Sequence, residues 1–376
     1  MSRRNHHFPA PPPDWQKSPM TVQYPRFKAA ACHASSVFLD ADKTAEKACD
    51  LIAEAAANGA SLVVFPESFL PGFPVWAALQ APIYNHGFFR ALVAQAQKLS
   101  DGAIRTIRMA ARRHGVHVSL GFTEGTDASV GCIWNSNVLI GPDGAILNHH
   151  RKLVPTFYEK LVWANGDARG LRVTSTEIGR VGMLICGENT NPLARYALMA
   201  QGEQVHISSY PPIWPTRPPE EAGAYDLKRA IEIRAGAHAF EAKVFNIVAS
   251  GFVDAAMREA MGSMGQASLG KASLEVMDNS PRGISMVLDP TSQVVGEVLG
   301  EHEGILYAEI DTARCVEPKQ FHDVVGYYNR FDVFHLEVDR SAREPAYFSE
   351  GAAIARAAED GALDPAADVL FANGAA

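Results

Sequence analysis

The chain has 376 residues, of which 47% are hydrophobic and 20% are charged, and its formal net charge is −8 at pH 7. This composition is typical of a globular protein, and the negative charge argues against nucleic acids and anionic membranes as partners. No apolar stretch reaches the roughly 18 residues of a transmembrane helix, and no apolar signal core follows Arg3-Arg4. We therefore predict a cytoplasmic protein with neither a nucleic-acid nor a membrane partner.

Cysteine usage argues against a metal or redox motif. The five cysteines are Cys32, Cys49, Cys132, Cys186 and Cys315. Their number is odd, their spacings are wide and no CxxC pair occurs, so neither a zinc ribbon nor a dithiol motif is indicated. We predict no metal site, and free cysteines fit a cytoplasmic location.

The hydrophobic pattern alternates between the periods of strands and helices. Residues 1–25 are polar and Pro-rich and are predicted to form a flexible arm. Residues 254–281, rich in Met, Gly and Ser, are predicted to form a mobile loop, and residues 341–376 an Ala-rich tail with some helix near 352–358. Strands are predicted at 27–31, 62–65, 116–122, 137–140, 146–149, 181–185, 205–209, 244–249, 284–288 and 305–310, and helices at about 45–56, 104–113, 192–201 and 226–242.

This alternation predicts an α/β layered fold. No compositional break divides residues 26–340, so a single large domain is favoured over two. Gly141-Pro142-Asp143-Gly144 has the residues of a hairpin turn between two predicted strands.

Polar residues follow two of the predicted strands directly. Glu67 comes after Val64-Phe65-Pro66, and Cys186 follows the strand that ends at Ile185. Functional groups gather at the carboxyl ends of strands in α/β folds, but every strand end carries some polar residue. Asn191-Pro192 has the cap and first-turn residues of a helix that begins just after Cys186.

The chemistry of these residues suits a cysteine hydrolase. A thiol attacks as a thiolate, and a strand-to-helix turn exposes the sulfur near backbone N–H groups. A partly buried Glu67 would be a stronger base, and Lys152 in His149-His150-Arg151-Lys152 could stabilise an anionic intermediate. The alternatives are a buried core thiol, an exposed carboxylate and a solvated basic patch.

Three separated motifs occur in an order that resembles the nitrilase superfamily, and the true nitrilase branch in particular. The similarity covers most of residues 26–335. The motifs are Phe65-Pro66-Glu67, His150-Arg151-Lys152-Leu153-Val154-Pro155-Thr156, and Cys186-Gly187-Glu188-Asn189-Thr190-Asn191-Pro192-Leu193, with Asn135-Ser136-Asn137 and Arg330-Phe331-Asp332-Val333 as further matches.

The resemblance implies a four-layer α-β-β-α sandwich and a Glu-Lys-Cys triad. Glu67 would be the base, Lys152 the cation and Cys186 the nucleophile. Glu159 matches a second family glutamate that orients the lysine, and the Gly187 N–H would help to bind the developing anion.

The activity implied is the hydrolysis of an organic nitrile to a carboxylic acid and ammonia, through a covalent thioimidate and then a thioester. It needs no cofactor. The alternatives within the superfamily are an amidase, or a nitrile or cyanide hydratase that releases an amide. A homo-oligomer is implied as well, either a dimer or a larger spiral assembly.

Residues near Cys186 distinguish branches of this family. Glu188 stands where amidase-like relatives have Asp, which favours a nitrilase, while Gly187 departs from the Trp of many nitrilases and leaves more room beside the thiol. Two further segments depart from the glycine-rich stretches of relatives, at residues 163–168 and 280–283.

Aromatic residues in or beside the motif loops could line an apolar pocket, although core packing explains them equally well. We predict Trp163, Tyr210 and Trp214 as substrate-binding residues together with Glu188 and Thr190. Trp76 is a further aromatic candidate.

Two other classes of function stay open from the residues alone. The chain has 13 histidines, and His149, His150 or His206 could pair with the thiol in a Cys-His hydrolase or acyltransferase. A non-catalytic scaffold protein is the remaining alternative.

Overall fold

The computed structural model describes residues 24–218, 221–264 and 268–341. All but the first residue of the predicted tail and all but the last two residues of the predicted N-terminal arm lie outside the described residues. The strands are β1 (Arg26–His33), β2 (Ala60–Val64), β3 (His117–Glu124), β4 (Trp134–Ile140), β5 (Ile146–Arg151), β6 (Thr174–Thr176), β7 (Gly179–Ile185), β8 (Val205–Tyr210), β9 (Phe245–Ser250), β10 (Met286–Leu288) and β11 (Gly304–Asp311). The α-helices are α1 (Ala41–Ala57), α2 (Trp76–Leu79), α3 (His86–Gln95), α4 (Gly102–His114), α5 (Pro192–Met199), α6 (Leu227–Ala242), α7 (Ala255–Gly262), α8 (Lys271–Asp278) and α9 (Val316–Phe321).

The described strands form two sheets. The first has the order β11-β1-β2-β3-β4-β5, and the second has the order β10-β9-β8-β7-β6. The strand β2, which precedes Glu67, is parallel to its neighbours β1 and β3. The strand β7, which precedes Cys186, is parallel to β8. The hairpin of β4 and β5 is antiparallel, as its turn chemistry predicts.

Alternating side chains of each strand contribute to different layers, because successive residues of a strand point to opposite faces. On β1, Ala29 and Ala31 pack between the sheets, whereas Ala30 and Cys32 pack against the outer helices α1 and α4. The second sheet is covered on its outer face by α5 and α6. The result is the four-layer α-β-β-α arrangement that the resemblance implies.

The helix that follows Cys186 begins where the sequence predicts. The Asn191 side chain accepts hydrogen bonds from the backbone N–H groups of Leu193 and Ala194, and Pro192 occupies the first turn of α5. The predicted start of α6 is also correct, since Asp226 caps it by accepting from Arg229 N.

The interpretation of residues 254–281 as a loop is wrong. This stretch contains α7 and α8, and Asp254 caps α7 by accepting from Met257 N. Each helix has only eight residues, which is too few to show a clear hydrophobic period. Their methionines Met257, Met261 and Met277 are buried in the core beside the second sheet. Helices α2, α3 and α9 and the short strand β6 are not predicted from the pattern at all.

The helices of the described residues are all too short or too polar to cross a membrane.

Candidate active site

Three loops bring the motif residues together. Glu67 lies three residues beyond the end of β2, Lys152 directly follows β5, and Cys186 directly follows β7. All three side chains are buried, and so is Glu159. The site is therefore enclosed at one end of the two sheets.

Lys152 is the centre of the cluster. Its Nζ donates to Glu67 Oε1 at 2.6 Å and to the two carboxylate oxygens of Glu159 at 2.9 and 2.7 Å. The side chains of all three residues are fully shielded from solvent. A buried ammonium paired with two carboxylates is held much more rigidly than a surface lysine.

The carboxylate of Glu67 is bonded on one side only. Oε1 also accepts from Asn135 Nδ2 at 2.7 Å, while Oε2 has no hydrogen-bond donor among the described protein groups. The Cys186 sulfur and oxygens of Glu67 and Glu159 lie within 4.8 Å of one another. Glu67 thus keeps an open acceptor close to the thiol.

The charges of the cluster favour a neutral thiol at rest. Burial, and then the negative charge of Glu67, raise the pKa of Cys186 well above its usual value. Burial also raises the pKa of Glu67, in spite of the opposing effect of Lys152. For Lys152 burial acts in the opposite direction, but Glu159 and Glu67 outweigh it and raise the pKa of the ammonium. Cys186 therefore needs a neighbouring base to become a nucleophile, and Glu67 fits that role.

Gly121 explains how the Glu67 loop reaches this position. The loop passes directly over β3, and a Cβ atom on Gly121 would lie 2.2 Å from Pro66 O and 2.7 Å from Ser68 N. Ser68, next to Glu67, has a left-handed φ of 46°, which is uncommon for a residue other than glycine. The close approach lets Glu67 turn inwards towards Lys152.

A short 3₁₀ helix, Phe157–Leu161, carries Glu159. Thr156 precedes it and forms a reciprocal cap: its side chain accepts from Glu159 N, and Thr156 N donates to Glu159 Oε2 at 2.9 Å. This cap fixes the carboxylate that holds Lys152. Burial, with Glu67 nearby, raises the pKa of Glu159 to about 7.

Cys186 begins a second 3₁₀ helix, Cys186–Thr190, in a strained conformation. Its φ is 49°, and a side-chain-bearing residue adopts this left-handed region at a cost that the surroundings must offset. The Asn189 side chain donates to the carbonyl oxygens of Cys186 at 3.1 Å and Leu184 at 3.4 Å. These bonds hold the backbone of Cys186 in place.

Glu188 does not face the substrate side of the site. Its Oε1 accepts from Leu153 N at 2.6 Å, its Oε2 accepts from Ile185 N at 2.9 Å, and His150 Nε2 lies 2.9 Å from Oε2. The carboxylate therefore ties the residue after Lys152 to the residue before Cys186. Its oxygens are already used by protein donors, which leaves it a positioning residue and not a substrate contact.

Thr190 is also remote from the enclosed site, because it lies exposed at the end of its 3₁₀ helix. The sequence prediction placed Glu188 and Thr190 in the pocket because they neighbour Cys186 along the chain. The tight helical turn instead directs one into the protein and the other to the surface.

One buried hydrophobic cluster contains Cys186 together with the aromatic side chains of Trp163, Tyr210 and Trp214. Phe73 contacts both tryptophans, at ring-centroid distances of 5.6 Å to Trp163 and 6.2 Å to Trp214. Tyr158 stacks on Trp214 at 4.4 Å. The structure thus places the three predicted aromatic residues in the same buried cluster as Cys186.

Several polar groups of this cluster have no hydrogen-bond partner among the described residues. They are the hydroxyls of Tyr158 and Tyr210 and the indole N–H groups of Trp76 and Trp163. Trp76 itself stacks on Phe88 at 5.4 Å. Buried unpaired donors in an aromatic pocket can serve a polar ligand group.

The three candidate histidines bind glutamates. His149 Nε2 lies 2.8 Å from Glu124 Oε2, His150 pairs with Glu188, and His206 Nδ1 lies 2.7 Å from Glu203 Oε1. Glu67 and Lys152, in contrast, meet at the thiol. The arrangement favours the Glu-Lys-Cys interpretation over a Cys-His pair.

Distance alone would allow Glu67, Glu159 and Cys186 to hold a metal ion. Lys152 Nζ, however, already bonds both carboxylates. Its ammonium provides the positive charge that such a trio of ligands would otherwise take from a metal.

Asn135, Tyr158, Gly121 and the side chain of Asn189 are parts of the site that the sequence prediction did not assign. Asn135 and Asn189 stand within the quoted motifs, so their presence was visible but their contacts were not. Asn135 is 68 residues from its partner Glu67, a separation over which no local pattern carries information. The isolated Gly121 within an apolar strand was the one available signal of close backbone approach.

Known proteins of one family are similar to this chain over most of its length. Residues 28–320 match the family model described as carbon-nitrogen hydrolase. A protein named nitrilase from Paraburkholderia phymatum is 33% identical over 323 residues, which cover 84% of this chain and 87% of that protein. A cyanide hydratase from Botryotinia fuckeliana is 33% identical over 330 residues, covering 86% of each chain.

Solved structures support the fold. The C. elegans NitFhit protein aligns with a TM-score of 0.61 at 20% identity, covering 85% of this chain and 69% of that one. An amidase from Nesterenkonia sp. aligns with a TM-score of 0.56 at 19% identity, covering 77% and 92%. The predicted α/β sandwich is thereby confirmed. With its two sheets, its family match and its nitrilase-named relatives, the chain belongs to the carbon-nitrogen hydrolase family, in the nitrilase superfamily.

Proposed function

We propose that this enzyme hydrolyses an organic nitrile to a carboxylic acid and ammonia. The observation that carries the proposal is the enclosed cluster in which Lys152 bonds Glu67 and Glu159 while the Cys186 thiol lies within 4.8 Å of both carboxylates. The relatives named nitrilase support a nitrile as the substrate.

The first half-reaction forms a covalent bond between Cys186 and the nitrile carbon. Glu67 takes the thiol proton at its open oxygen, the sulfur attacks, and the nitrile nitrogen gains the proton to give a thioimidate. Lys152, with the N–H of Gly187, stabilises the negative charge that develops in the transition state. Glu159 keeps Lys152 in place.

The second half-reaction consumes two molecules of water. Glu67 removes a proton from the first water, which adds to the thioimidate carbon and gives a tetrahedral intermediate. Protonated nitrogen leaves as ammonia, and the thioester that remains is cleaved by the second water to the acid and the free thiol. No metal or organic cofactor takes part in these steps.

We propose a cleft of about 600 Å³ as the route for the substrate. Tyr158 lines this cleft and also belongs to the aromatic cluster around Cys186. Most of the other lining residues are apolar, among them Leu79, Pro215 and Val276. We therefore propose an apolar organic nitrile whose side chain packs against Trp163, Tyr210 and Trp214.

The test is ammonia release with product mass analysis, over aliphatic, arylaliphatic and aromatic nitriles and their matched amides. Cys186→Ala should abolish turnover in a folded protein. Cys132→Ala, at a half-buried cysteine of the same chain, should retain it. Substantial nitrile turnover by Cys186→Ala would exclude the mechanism.

A second outcome of the same chemistry is an amide product. If the thiol leaves the tetrahedral intermediate before ammonia does, the enzyme acts as a hydratase, and the relative named cyanide hydratase makes this the alternative to test. The ratio of acid to amide in the product assay decides between the two.

We also propose that the enzyme forms a homo-oligomer. Exposed aromatic side chains cluster in and after α9, with Phe321 71%, Tyr328 73%, Phe331 69% and Phe334 74% exposed. A monomer rarely leaves so many large apolar groups in contact with water. Sedimentation of Phe331→Asp and Phe334→Asp variants should show smaller particles than the wild type. A cytoplasmic location stays a prediction from the sequence.

A further inference from the structure

A buried polar network connects the cysteine turn to the far side of the second sheet. Asn189, whose amide donates to the Cys186 carbonyl, also contacts His206 on β8, with His206 Nε2 3.0 Å from Asn189 Oδ1. His206 Nδ1 lies 2.7 Å from Glu203 Oε1, and Glu203 Oε2 lies 2.7 Å from His238 Nε2 on α6. All of these side chains are buried, and none takes part in the proposed chemistry.

The orientation of the Asn189 amide follows from its neighbours. Its nitrogen end faces two carbonyl oxygens, those of Cys186 at 3.1 Å and Leu184 at 3.4 Å. The reverse orientation would set an amide oxygen against both carbonyl oxygens and leave buried acceptors without donors, which is unfavourable. The amide oxygen therefore points towards His206.

This orientation decides the proton count on His206. A neutral imidazole has one N–H donor and one acceptor nitrogen, whereas an imidazolium donates from both. Nδ1 must donate to the Glu203 carboxylate, and Nε2 faces the amide oxygen of Asn189, which only accepts. A neutral ring would therefore place a lone pair against a lone pair at one of these two contacts.

The second possible donor to Asn189 does not remove this requirement. Ser208 Oγ lies 3.2 Å from Asn189 Oδ1, but it also lies 3.0 Å from Asn246 Oδ1. The Asn246 amide nitrogen donates to Ala235 O at 3.1 Å, so its oxygen needs the single Ser208 proton. Even if the Ser208 hydroxyl donated to Asn189 Oδ1 instead, His206 Nε2 would still face that oxygen.

The charges around the ring are consistent with one cation. Burial disfavours the charged form of Glu203, but His206 and His238 outweigh it and lower the pKa of this carboxyl to about 2. Burial and the nearby His206 lower the pKa of His238 to about 4, so that ring is neutral near pH 7 and donates from Nε2 alone. The ring of His238 stacks on His206 at 3.6 Å, and Arg195, paired with Glu241, lies beyond it on α5.

We propose that His206 is a buried imidazolium that donates to both Glu203 and Asn189, and that its second proton locks the Asn189 amide in the orientation that positions Cys186. The proposal rests on the assignment of Cys186 as the nucleophile. Asn189 and His206 touch neither substrate nor reacting atoms, so they are positioning residues. Loss of the proton releases the amide, and the strained left-handed backbone at Cys186 loses one of the bonds that hold it.

The decisive measurement is ¹⁵N NMR of the wild-type enzyme labelled at histidine, with the His206 signals assigned by their loss in His206→Gln. Two protonated ring nitrogens at pH 7 support the proposal. One protonated and one bare nitrogen overturn it, whatever the enzyme hydrolyses. Failure of the proposed function would instead appear as absence of ammonia release from the nitriles, and failure of the Cys186 assignment as nitrile turnover by Cys186→Ala, so these failures are distinguishable from that of the His206 proposal.

Kinetics of matched variants test the positioning. Asn189→Asp keeps an acceptor for His206 but has no N–H for the Cys186 carbonyl, so kcat should fall about 100-fold with KM changed less than about threefold, the loss typical of a roughly 1 Å misplacement of a reacting group. Ser208→Ala removes only the second donor to Asn189 and should keep kcat within about threefold. Wild-type kcat in Asn189→Asp, or a collapse of kcat in a folded Ser208→Ala, would overturn the proposal.

Discussion

Gly121 offers the sharpest test of how the fold positions the base. A Cβ atom at this position would lie 2.2 Å from Pro66 O, 2.7 Å from Ser68 N and 3.0 Å from Glu67 Cα. A carbon–oxygen contact in proteins is about 3.3 Å or longer, so Gly121→Ala must move the Glu67 loop by about 1 Å. All three neighbouring atoms are backbone, and no side-chain rotation can relieve the contact.

The magnitude of the effect follows from that displacement. Overpacking of this kind costs about 1–3 kcal/mol of unfolding free energy, and a 1 Å misplacement of a catalytic group lowers the rate about 100-fold. We therefore expect Gly121→Ala to lose about two orders of magnitude in kcat while it stays folded.

The assay is ammonia release together with urea unfolding of the same preparation. Gly102→Ala is the matched control, because a Cβ on Gly102 in α4 meets nothing within 4 Å; it should match the wild type in both measurements. If Gly121→Ala turned over at the wild-type rate, Glu67 would not depend on this packing, and the account of how its loop is held would be wrong.

Three further changes test other parts of the site. Gly187→Ala places a Cβ 2.5 Å from Thr156 Oγ1 and should lower kcat at least about tenfold; the double variant with Thr156→Ala should be no slower than Thr156→Ala alone, and additive losses would contradict the steric cause. Tyr158→Phe removes a buried hydroxyl that lacks a partner among the described residues, so the unfolding free energy should not decrease while KM for nitriles rises several-fold; an unchanged KM would show that the hydroxyl does not contact substrate. Glu159 has its pKa raised from 4.5 to about 7 in the folded protein, so it stabilises the fold below pH 4.5 and loses this contribution as the pH rises through 7. The free-energy advantage of the wild type over Glu159→Gln in urea unfolding should therefore shrink as the pH rises from 4.5 to above 7, and parallel pH curves would contradict this.

The strands and the three motif loops could be predicted because their signals are local. The apolar runs that end at Phe65 and Ile185 correspond to the strands β2 and β7, which begin two residues earlier and end within one residue of the predicted ends. The residues after these strands are the ones that meet in the site. The helices α7 and α8 gave no such signal, since each turns only about twice and is anchored by methionines at isolated positions.

The contacts within the site could not be predicted, because they join residues that are far apart in sequence. Neighbours of Cys186 were expected to bind substrate, yet the oxygens of Glu188 accept from the backbone N–H groups of Leu153 and Ile185 and contact His150. Tyr158, in contrast, reaches the aromatic cluster from a different motif. Position along the chain identifies the loops, while the turn within each loop decides which side chain faces inwards.

The one-sided bonding of Glu67 has a consequence for the order of chemical events. Oε1 accepts hydrogen bonds from both Lys152 and Asn135. The other oxygen, Oε2, must therefore accept the thiol hydrogen and later the water hydrogen. Water activation then waits until the first proton has passed to the substrate nitrogen. A nitrile whose nitrogen takes that proton slowly should hold the enzyme as the thioimidate. Rapid quenching with such a substrate should give a protein adduct heavier by the mass of the intact nitrile.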